Sequence, residues 1–212
     1  MCSIGIGIIG AGFAADLHAQ AYRELSGLGI ELVAVTSRTQ VTAEAFAERH
    51  GVRQVLDDYA SFLELKDIDI VDLCIPNHVH KEFAVQAAQA GKHIICEKPL
   101  TGYFGEGEER VGQTSRKRML EAALRNADEM IASAQRHGVK LMYAENWVYA
   151  PAIQKVKRLI RASEGTIFEL RAEESHHGSH ASYSKHWRYA GGGALFRLGA
   201  HPLGAILHLK HC

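Results

Sequence analysis

The chain has 212 residues, of which 47% are hydrophobic, and its 24 basic side chains balance its 24 acidic ones. That size allows one large domain, or one domain and part of another, with a substantial core. The balanced charge argues against the basic surface of a nucleic-acid-binding protein and against the polybasic run of a membrane-surface protein, and no apolar run approaches the roughly 18 residues of a membrane helix.

The four cysteines give no sign of a zinc ribbon or a redox pair. They stand at positions 2, 74, 96 and 212, so no CxxC pair occurs. Cys74 and Cys96 lie in apolar runs, where a small buried thiol is expected. The N-terminus shows no basic segment, long apolar segment or twin arginine, so nothing indicates export. These features together predict a cytoplasmic protein.

Short apolar runs alternate with helical patterns over the first two thirds of the chain. The predicted strands cover residues 4–10, 30–37, 68–76, 93–97 and 139–146. The predicted helices cover residues 15–25, 42–51, 79–92 and 124–138. Strands that alternate with helices form a parallel sheet covered on both faces. The pattern therefore predicts an α/β fold, a doubly wound Rossmann sheet, over residues 1–146.

Two segments depart from this alternation. Residues 101–122 combine glycines with mixed charges and predict a loop followed by the start of a helix. Such a segment is either a tolerated surface segment or a lid or oligomer contact. Residues 147–212 predict a helix at 151–162, a strand at 165–174 and a further helix with an apolar face. That face contains Leu195, Leu198, Leu203, Ile206 and Leu207. One strand does not complete a sheet, so we expect this region to be the beginning of a second, α+β domain.

The first predicted strand leads into a glycine pattern typical of dinucleotide sites. Gly10, Gly12 and Ala15 form GxGxxA at the start of the first helix. Gly10 allows a tight turn, and Gly12 allows the backbone to approach a pyrophosphate bound at the helix N-terminus. Phe13 and Ala14, which complete the loop, are further candidate cofactor-binding residues. The alternative is a structural turn that binds no ligand.

The end of the second predicted strand indicates which cofactor is preferred. NAD sites usually carry a carboxylate there, which accepts a hydrogen bond from the ribose 2′-hydroxyl. This chain has Ser37 and Arg38 instead, within the sequence VTSRT. Arg38 could bind a 2′-phosphate through charge-assisted hydrogen bonds. The sequence therefore predicts that NADP is preferred over NAD, unless Arg38 is simply a solvated surface residue.

Five segments, in order, resemble the Gfo/Idh/MocA oxidoreductases, the glucose–fructose oxidoreductase and inositol dehydrogenase family. They are the glycine loop, CIPNHVHKEFAVQAAQAGKH, GKHIICEKPL, LMYAENWVYAPAIQKVKRLI and GGGALFRLGAHP. The resemblance implies an NAD(P)-dependent oxidoreductase. Hydride would pass between nicotinamide and a carbinol or carbonyl carbon of a sugar, polyol or related hydroxy compound. It also implies relatives with a longer C-terminal substrate domain, which form homo-oligomers. Their link after the EKP segment is shorter, so the resemblance makes residues 101–122 an insertion or subfamily elaboration.

The EKP segment lies where an open α/β sheet binds its ligands. Glu97 and Lys98 follow a predicted strand directly, at its carboxyl end. Pro99 restricts the backbone of Lys98 and presents it from a rigid turn. By resemblance, the Lys98–Pro99 bond is cis, Glu97 and Lys98 contact the cofactor, and Lys98 also hydrogen-bonds the reacting oxygen as a catalytic residue.

Other candidate site residues rest on the resemblance as well. The matched positions around the cofactor's ribose and nicotinamide are Pro76, Asn77, His80 and Asn146. Trp147 follows them, with a core aromatic as its alternative role. Arg188 is a weaker candidate for contact with substrate.

His201 matches the family's acid/base histidine, which exchanges a proton with the substrate hydroxyl. Many relatives carry Asp four residues earlier, where this chain has Arg197. On one helical face, Arg197 would favour neutral His201 by repulsion, and the histidine would lose its orientation partner. Either Arg197 binds an anionic substrate or the usual alcohol chemistry is weakened.

Histidines are frequent between the predicted strand at 165–174 and the glycine run, at positions 176, 177, 180 and 186. No cysteine or carboxylate geometry supports a metal there, so we expect no metal site. Two alternatives to an active oxidoreductase remain. One is a dinucleotide-binding module without turnover, and the other is an inactive fragment that lacks a complete substrate domain.

Overall fold

The computed structural model describes residues 3–179 and 181–210. Six strands form one sheet in the order β3-β2-β1-β4-β5-β6, and every neighbouring pair is parallel. The strands are β1 (Ile4–Ile9), β2 (Ile30–Thr36), β3 (Gln54–Leu56), β4 (Ile70–Leu73), β5 (His93–Cys96) and β6 (Leu141–Tyr143). The order reverses between β1 and β4, which is the switch point where such sheets bind ligands. The predicted doubly wound Rossmann sheet is confirmed.

Five helices accompany the sheet, and four follow it in the chain. The first group is α1 (Phe13–Glu24), α2 (Gln40–His50), α3 (Tyr59–Glu64), α4 (His80–Gln89) and α5 (Arg116–Arg136). The second is α6 (Pro151–Ser163), α7 (Trp187–Ala190), α8 (Ala194–Arg197) and α9 (Ala200–Lys210). No described helix combines the length and apolar character that crossing a membrane requires.

The core lies on both faces of the sheet, as parallel sheets require. Successive strand residues point to opposite faces, so Ile8 and Ile9 join different apolar clusters. Ile8 packs with α1 and α2 around Phe46, and Ile9 belongs to the cluster around Phe62 and Met130. Both clusters consist of residues from the first 141 positions, so the sheet and its helices provide the packing that positions the site.

Residues 147–210 depart from the sequence predictions in two places. Residues 165–174 have no regular secondary structure, so the predicted strand is wrong. A strand needs a neighbour to pair with, and no described segment provides one. The predicted continuous apolar helix is also interrupted, because α8 ends at Arg197 and α9 begins at Ala200.

The segment 101–122 follows its prediction. It runs as a loop with a short 3₁₀ turn at Val111–Gln113, and α5 then begins at Arg116. Ser115 caps that helix by accepting a hydrogen bond from the amide of Arg118. The short β3 and α3 had no predicted counterpart, since three strand residues and a six-residue helix give too little periodicity.

Candidate active site

The glycine loop joins β1 to α1 at the carboxyl edge of the sheet. The amide of Gly10 donates to the carbonyl of Thr36, at 2.8 Å. Gly10 has a φ of 100°, and a Cβ atom there would lie 2.3 Å from the carbonyl oxygen of Cys74. Only glycine fits this close approach of β1 and β4.

Gly12 is constrained differently. A Cβ atom at Gly12 would have no atom within 4 Å, so open space lies directly above the loop. Gly12 is the N-cap of α1 and supplies no side-chain cap, so the first amides of the helix lack a side-chain acceptor. Phe13 is 79% exposed beside them. A helix N-terminus with open space above its backbone fits the pyrophosphate of a dinucleotide.

The end of β2 presents hydroxyls and one cation. The Ser37 hydroxyl lies 3.1 Å from the Thr42 hydroxyl, which donates to the carbonyl of Thr39 at 2.8 Å. Arg38 is exposed, and its side chain forms no hydrogen bond or ion pair with any described residue. Residues 36–39 include no carboxylate. This edge therefore offers donors and positive charge, with nothing that would repel a phosphate.

The turn after β5 holds Glu97 and Lys98 in separate environments. The Lys98–Pro99 bond is cis, as the resemblance implied. Glu97 Oε2 accepts from the backbone amide of Lys98 at 3.0 Å, and Glu97 Oε1 lies 3.2 Å from His18 Nε2. Lys98 Nζ donates to the carbonyl of Arg197 at 3.4 Å. Lys98 therefore reaches the α8 segment, while Glu97 is tied to α1.

A charged network that the sequence did not reveal lies beneath this turn. His18 Nδ1 is 2.8 Å from Oδ2 of the fully buried Asp72, and the Tyr22 hydroxyl donates to the same oxygen at 2.6 Å. Burial lowers the pKa of His18, but its bonds to Asp72, Cys74 and Glu97 outweigh burial and raise that pKa above 6.5. Burial, assisted by the nearby Asp72 charge, raises the pKa of the Cys74 thiol to about 12.

His18, Asp72 and Cys74 are the only described residues that cluster closely enough to ligate a metal ion. Their ligand atoms lie within 4.8 Å of one another. The hydrogen bonds among them already account for that proximity. The one sequence feature that indicates this network is the i, i+4 spacing of His18 and Tyr22 on α1.

The structure buries His80, a residue for which the sequence predicts a cofactor contact. Its side chain is fully buried on α4, and Nε2 lies 2.9 Å from the carbonyl of Ile75. Nδ1 lies 3.2 Å from the carbonyl of Pro99 and 3.3 Å from that of Leu100. Burial lowers the pKa of His80 despite these backbone contacts. The buried His80 ring therefore packs between the end of β4 and the 97–100 turn, and whichever nitrogen carries the hydrogen faces a backbone carbonyl.

Two neighbours of His80 lie at the same edge of the sheet. Pro76 is partly exposed and precedes the 3₁₀ turn at Asn77–Val79. Asn77 is buried, and its Nδ2 has no hydrogen-bond partner among the described residues. The side-chain amide of Asn77 can therefore still donate a hydrogen bond, at the edge of the sheet that carries the glycine loop.

His201 packs against the end of β6. Its Nδ1 lies 2.5 Å from Glu145 Oε1, and both side chains are at least nine-tenths buried. The Trp147 ring stacks on the imidazole, with centroids 5.3 Å apart and planes 10° apart. Asn146, between these two residues in the chain, is exposed. His201 therefore retains an orientation partner, contrary to the prediction, and that partner is Glu145.

Arg197 does not share a helical face with His201. Its guanidinium lies 5.6 Å from the centroid of the Tyr183 ring, while His201 faces Glu145. The break between α8 and α9 removes the i, i+4 relation on which the predicted repulsion depended. Arg188 is exposed on α7 and forms no hydrogen bond or ion pair with Lys98 or His201 among the described residues.

The histidine run shows no metal geometry in the part of the chain that the structure describes. His176 Nε2 lies 3.8 Å from Glu174, and His186 contacts Tyr189 through its ring. His180 lies outside the described residues. The candidate groups at the sheet edge are Lys98 after β5 and the Glu145–His201 pair after β6, together with the glycine loop and the end of β2.

Comparison with protein families supports a dinucleotide-binding role for this edge. The Gfo/Idh/MocA family model, described as an oxidoreductase family with an NAD-binding Rossmann fold, matches residues 4–145. That match contains the glycine loop, the EKP turn and Glu145, and it ends before His201.

Curated relatives include sugar dehydrogenases. Levoglucosan dehydrogenase from Pseudarthrobacter phenanthrenivorans is 34% identical over 164 residues, which cover 74% of this chain and 40% of the relative. D-apiose dehydrogenase from Paraburkholderia graminis is 30% identical, over 73% of this chain and 35% of the relative. The NADP-dependent scyllo-inositol 2-dehydrogenase of Bacillus subtilis is 28% identical, over 73% of this chain and 40% of the relative. The chain thus spans about 40% of these proteins.

Solved structures share the fold over almost the whole chain. Levoglucosan dehydrogenase in complex with NADH and levoglucosan has a TM-score of 0.75 at 27% identity, covering 98% of this chain and 54% of that one. An oxidoreductase domain protein from Kribbella flavida has a TM-score of 0.79 at 26% identity, covering 100% and 55% respectively. The arrangement of residues 147–210 therefore also has counterparts in larger proteins.

Proposed function

The chain belongs to the Gfo/Idh/MocA oxidoreductase family, and we propose that it transfers hydride between a nicotinamide dinucleotide and a carbon of a hydroxy compound. The substrate class is a sugar, a polyol or a related compound, oxidised or reduced at a carbinol or carbonyl carbon. The observation that carries this proposal is the placement of Lys98, Glu145 and His201 on neighbouring segments at the edge that holds the glycine loop. The names of the relatives support the substrate class.

The cofactor is proposed to lie across the carboxyl edge of the sheet. The loop of Gly10, Gly12, Phe13 and Ala14 would hold the pyrophosphate, and Pro76, Asn77, Glu97 and Asn146 would line the nicotinamide side. The open space at Gly12 and the unused donor of Asn77 support this assignment. His80 would act indirectly, by fixing the turn that carries Lys98. The bound nicotinamide supplies the hydride acceptor or donor.

We propose that NADP is preferred over NAD. Ser37 and the exposed Arg38 would bind the 2′-phosphate, and the absence of a carboxylate at residues 36–39 supports this preference. NADP use by one relative, the scyllo-inositol dehydrogenase, and NADH in the levoglucosan dehydrogenase complex show that both cofactors occur among similar proteins.

The catalytic roles are assigned to Lys98 and His201. The Lys98 ammonium would hydrogen-bond the reacting oxygen and stabilise developing negative charge. Nε2 of His201 would exchange the proton of the same hydroxyl. Arg188 and Arg197 are proposed substrate contacts, and the Arg197 guanidinium, held over the Tyr183 ring, could bind an anionic group.

Residues 1–146 are proposed as the cofactor domain and residues 147–212 as part of a substrate and oligomerisation domain.

A second candidate function is a dinucleotide-binding module without turnover. It is favoured by the lack of any buried residue between 151 and 186 among the described residues, since a substrate pocket needs ordered walls. A cytoplasmic location is proposed from the unpaired thiols of Cys74 and Cys96.

The test is hydride transfer measured by nicotinamide absorbance with a panel of sugars and polyols. Lys98→Met should lower kcat by about 100-fold or more, because the charge on the reacting oxygen loses its cation. Lys117→Met removes a lysine that is 86% exposed on α5 and should leave kcat unchanged. Cofactor binding without turnover by the unaltered chain would overturn the oxidoreductase proposal in favour of the binding module.

A further inference from the structure

The contact between Glu145 and His201 joins two segments that are 56 residues apart in the sequence. Glu145 follows β6, and His201 lies in the first turn of α9. The pair is buried, so water does not compete for the bond. A short hydrogen bond between buried polar groups of distant segments fixes the relative orientation of both side chains.

The carboxylate of Glu145 is itself held by backbone. The amide of Trp147 donates to Oε1 at 3.1 Å, and the amide of Val148 donates to Oε2 at 3.3 Å. Three N–H groups, including that of His201 Nδ1, can therefore converge on two oxygens. An ionised carboxylate only accepts hydrogen bonds, so it satisfies all three when Nδ1 carries the proton.

Helix α9 is shaped to admit this carboxylate. Gly204 lies three residues after His201, on the same side of the helix. A Cβ atom at Gly204 would lie 2.6 Å from Oε2 of Glu145. Any other residue at this position would displace the carboxylate or the helix. The glycine is thus a second, independent feature that accommodates the Glu145–His201 contact.

The imidazole plane is fixed separately. The Trp147 ring stacks on it almost in parallel, which leaves rotation within that plane as the remaining freedom. The bond from Nδ1 to Glu145 removes that freedom. Nε2 forms no hydrogen bond with any described residue, so it is the ring nitrogen that remains to accept a proton.

We infer that Glu145 is the positioning residue of His201, selecting the tautomer with hydrogen on Nδ1 and leaving Nε2 as the proton acceptor. The inference rests on the proposed function for its chemical consequence. Position 197 carries arginine, and the carboxylate that contacts His201 comes from Glu145 after β6. Charged groups on the neighbouring segments include Lys98, which donates to the Arg197 carbonyl, Lys157, which contacts His208, and Arg197 itself.

The test is the tautomer of His201 in the full chain, read from long-range ¹⁵N–¹H spectra of uniformly ¹⁵N-labelled protein. Spectra are recorded over a pH series up to the plateau at which the ring carries one hydrogen, and His201→Gln identifies the signal. We expect a protonated Nδ1 and a bare Nε2. A ring that carries hydrogen on Nε2 overturns the inference. This holds whether Nε2 alone is protonated, both nitrogens are protonated, or the hydrogen exchanges between them. This measurement requires no variant of Glu145.

Two variants separate the hydrogen bond from the charge and from packing. Glu145→Gln keeps a carbonyl oxygen that can accept from Nδ1 and should retain the tautomer. Glu145→Met has similar length but no acceptor, and it should shift the population toward hydrogen on Nε2. Equal tautomer populations in both variants and the unaltered chain would show that Glu145 only fills space, and would overturn the inference.

Gly204→Ala provides an alternative should Glu145→Met fail to fold. It should displace the carboxylate and disturb the tautomer without removing any charged group. Because the spectra need neither cofactor nor substrate, a protonated Nδ1 in a chain without turnover would contradict the proposed function and leave the positioning role standing. Hydrogen on Nε2 in an active enzyme would overturn the positioning role and leave the proposed function standing.

Discussion

Gly10 and Gly12 stand two residues apart in the same loop, yet the structure assigns them different constraints. Gly10 has positive φ and closely approaches the Cys74 carbonyl, so Gly10→Ala should lower the free energy of unfolding by about 2 kcal/mol or more. Gly12 has negative φ and open space above it, so Gly12→Ala should fold nearly as well as the unaltered chain. Its added methyl group would occupy the proposed pyrophosphate position.

The comparison uses urea unfolding and cofactor titration of both variants. Gly12→Ala is expected to lose about 10-fold or more in cofactor affinity, equivalent to about 1.4 kcal/mol, while its unfolding midpoint changes little. A Gly12→Ala variant that binds cofactor normally would contradict the proposed phosphate site. A normal midpoint for Gly10→Ala would contradict the packing argument.

Single residues were predictable where one local rule decides them. Gly10 and Gly12 are defined by their place between a strand and a helix, and the placement of Lys98 follows from the strand that precedes it. The environments of His80 and His201 depend on segments far away in the chain. No periodicity connects His80 to the Pro99 carbonyl, or His201 to Glu145, so these contacts could not be predicted from the sequence.

At the scale of elements, the His18–Asp72 contact ties α1 to β4, and Glu97 extends it to the end of β5. The raised pKa of His18 means that the folded state binds its proton more tightly than the unfolded state does. This contribution to stability is fully present below about pH 6.5 and is lost as the pH rises through the folded-state pKa.

His18→Leu should therefore lower the free energy of unfolding by about 3 kcal/mol at slightly acidic pH, because Asp72 stays buried with one partner fewer. The deficit should shrink as the pH rises. Urea unfolding over a pH series measures it, with the exposed His186→Leu as the matched control. A deficit that is independent of pH would show that His18 contributes packing rather than an ion pair.

Helices and strands were predictable from the sequence where they are long and have a regular pattern of apolar residues. The strands around Ile8, Val35 and Val71 were found because each is an apolar run followed by a helix. Residues 165–174 have strand-like composition, but strand formation needs a paired neighbour, and no described segment lies beside them as a strand. The break between α8 and α9 was missed because their apolar residues keep helical spacing across it.

At the scale of the whole molecule, packing is concentrated in the sheet and its helices. None of the described residues from 151 to 186 is buried, and residues 164–186 contain only one short 3₁₀ turn. Backbone with few buried contacts opens readily. Limited trypsin digestion should therefore cut at Arg171 and Lys185 before any site between residues 4 and 100.

The comparison is with two exposed arginines in or next to regular secondary structure. Arg49 and Arg53 have side chains that are 50% and 66% exposed, but Arg49 belongs to α2, and Arg53 pairs with Glu31 beside β3. Mass spectrometry of the first fragments identifies the order of cleavage. Early cleavage at Arg49 or Arg53 would contradict the claim that residues 151–186 open more readily than the sheet and its helices.

The most direct test of the account is a calorimetric titration of the folded chain with NADPH and, separately, with NADH. We predict that both bind and that NADPH binds about 10- to 100-fold more tightly, the range expected for charge-assisted bonds to a 2′-phosphate. Arg38→Ala should remove that difference and leave the NADH affinity unchanged. A folded chain that binds neither cofactor would contradict the dinucleotide site, and equal affinities in the unaltered chain would contradict the role of Arg38.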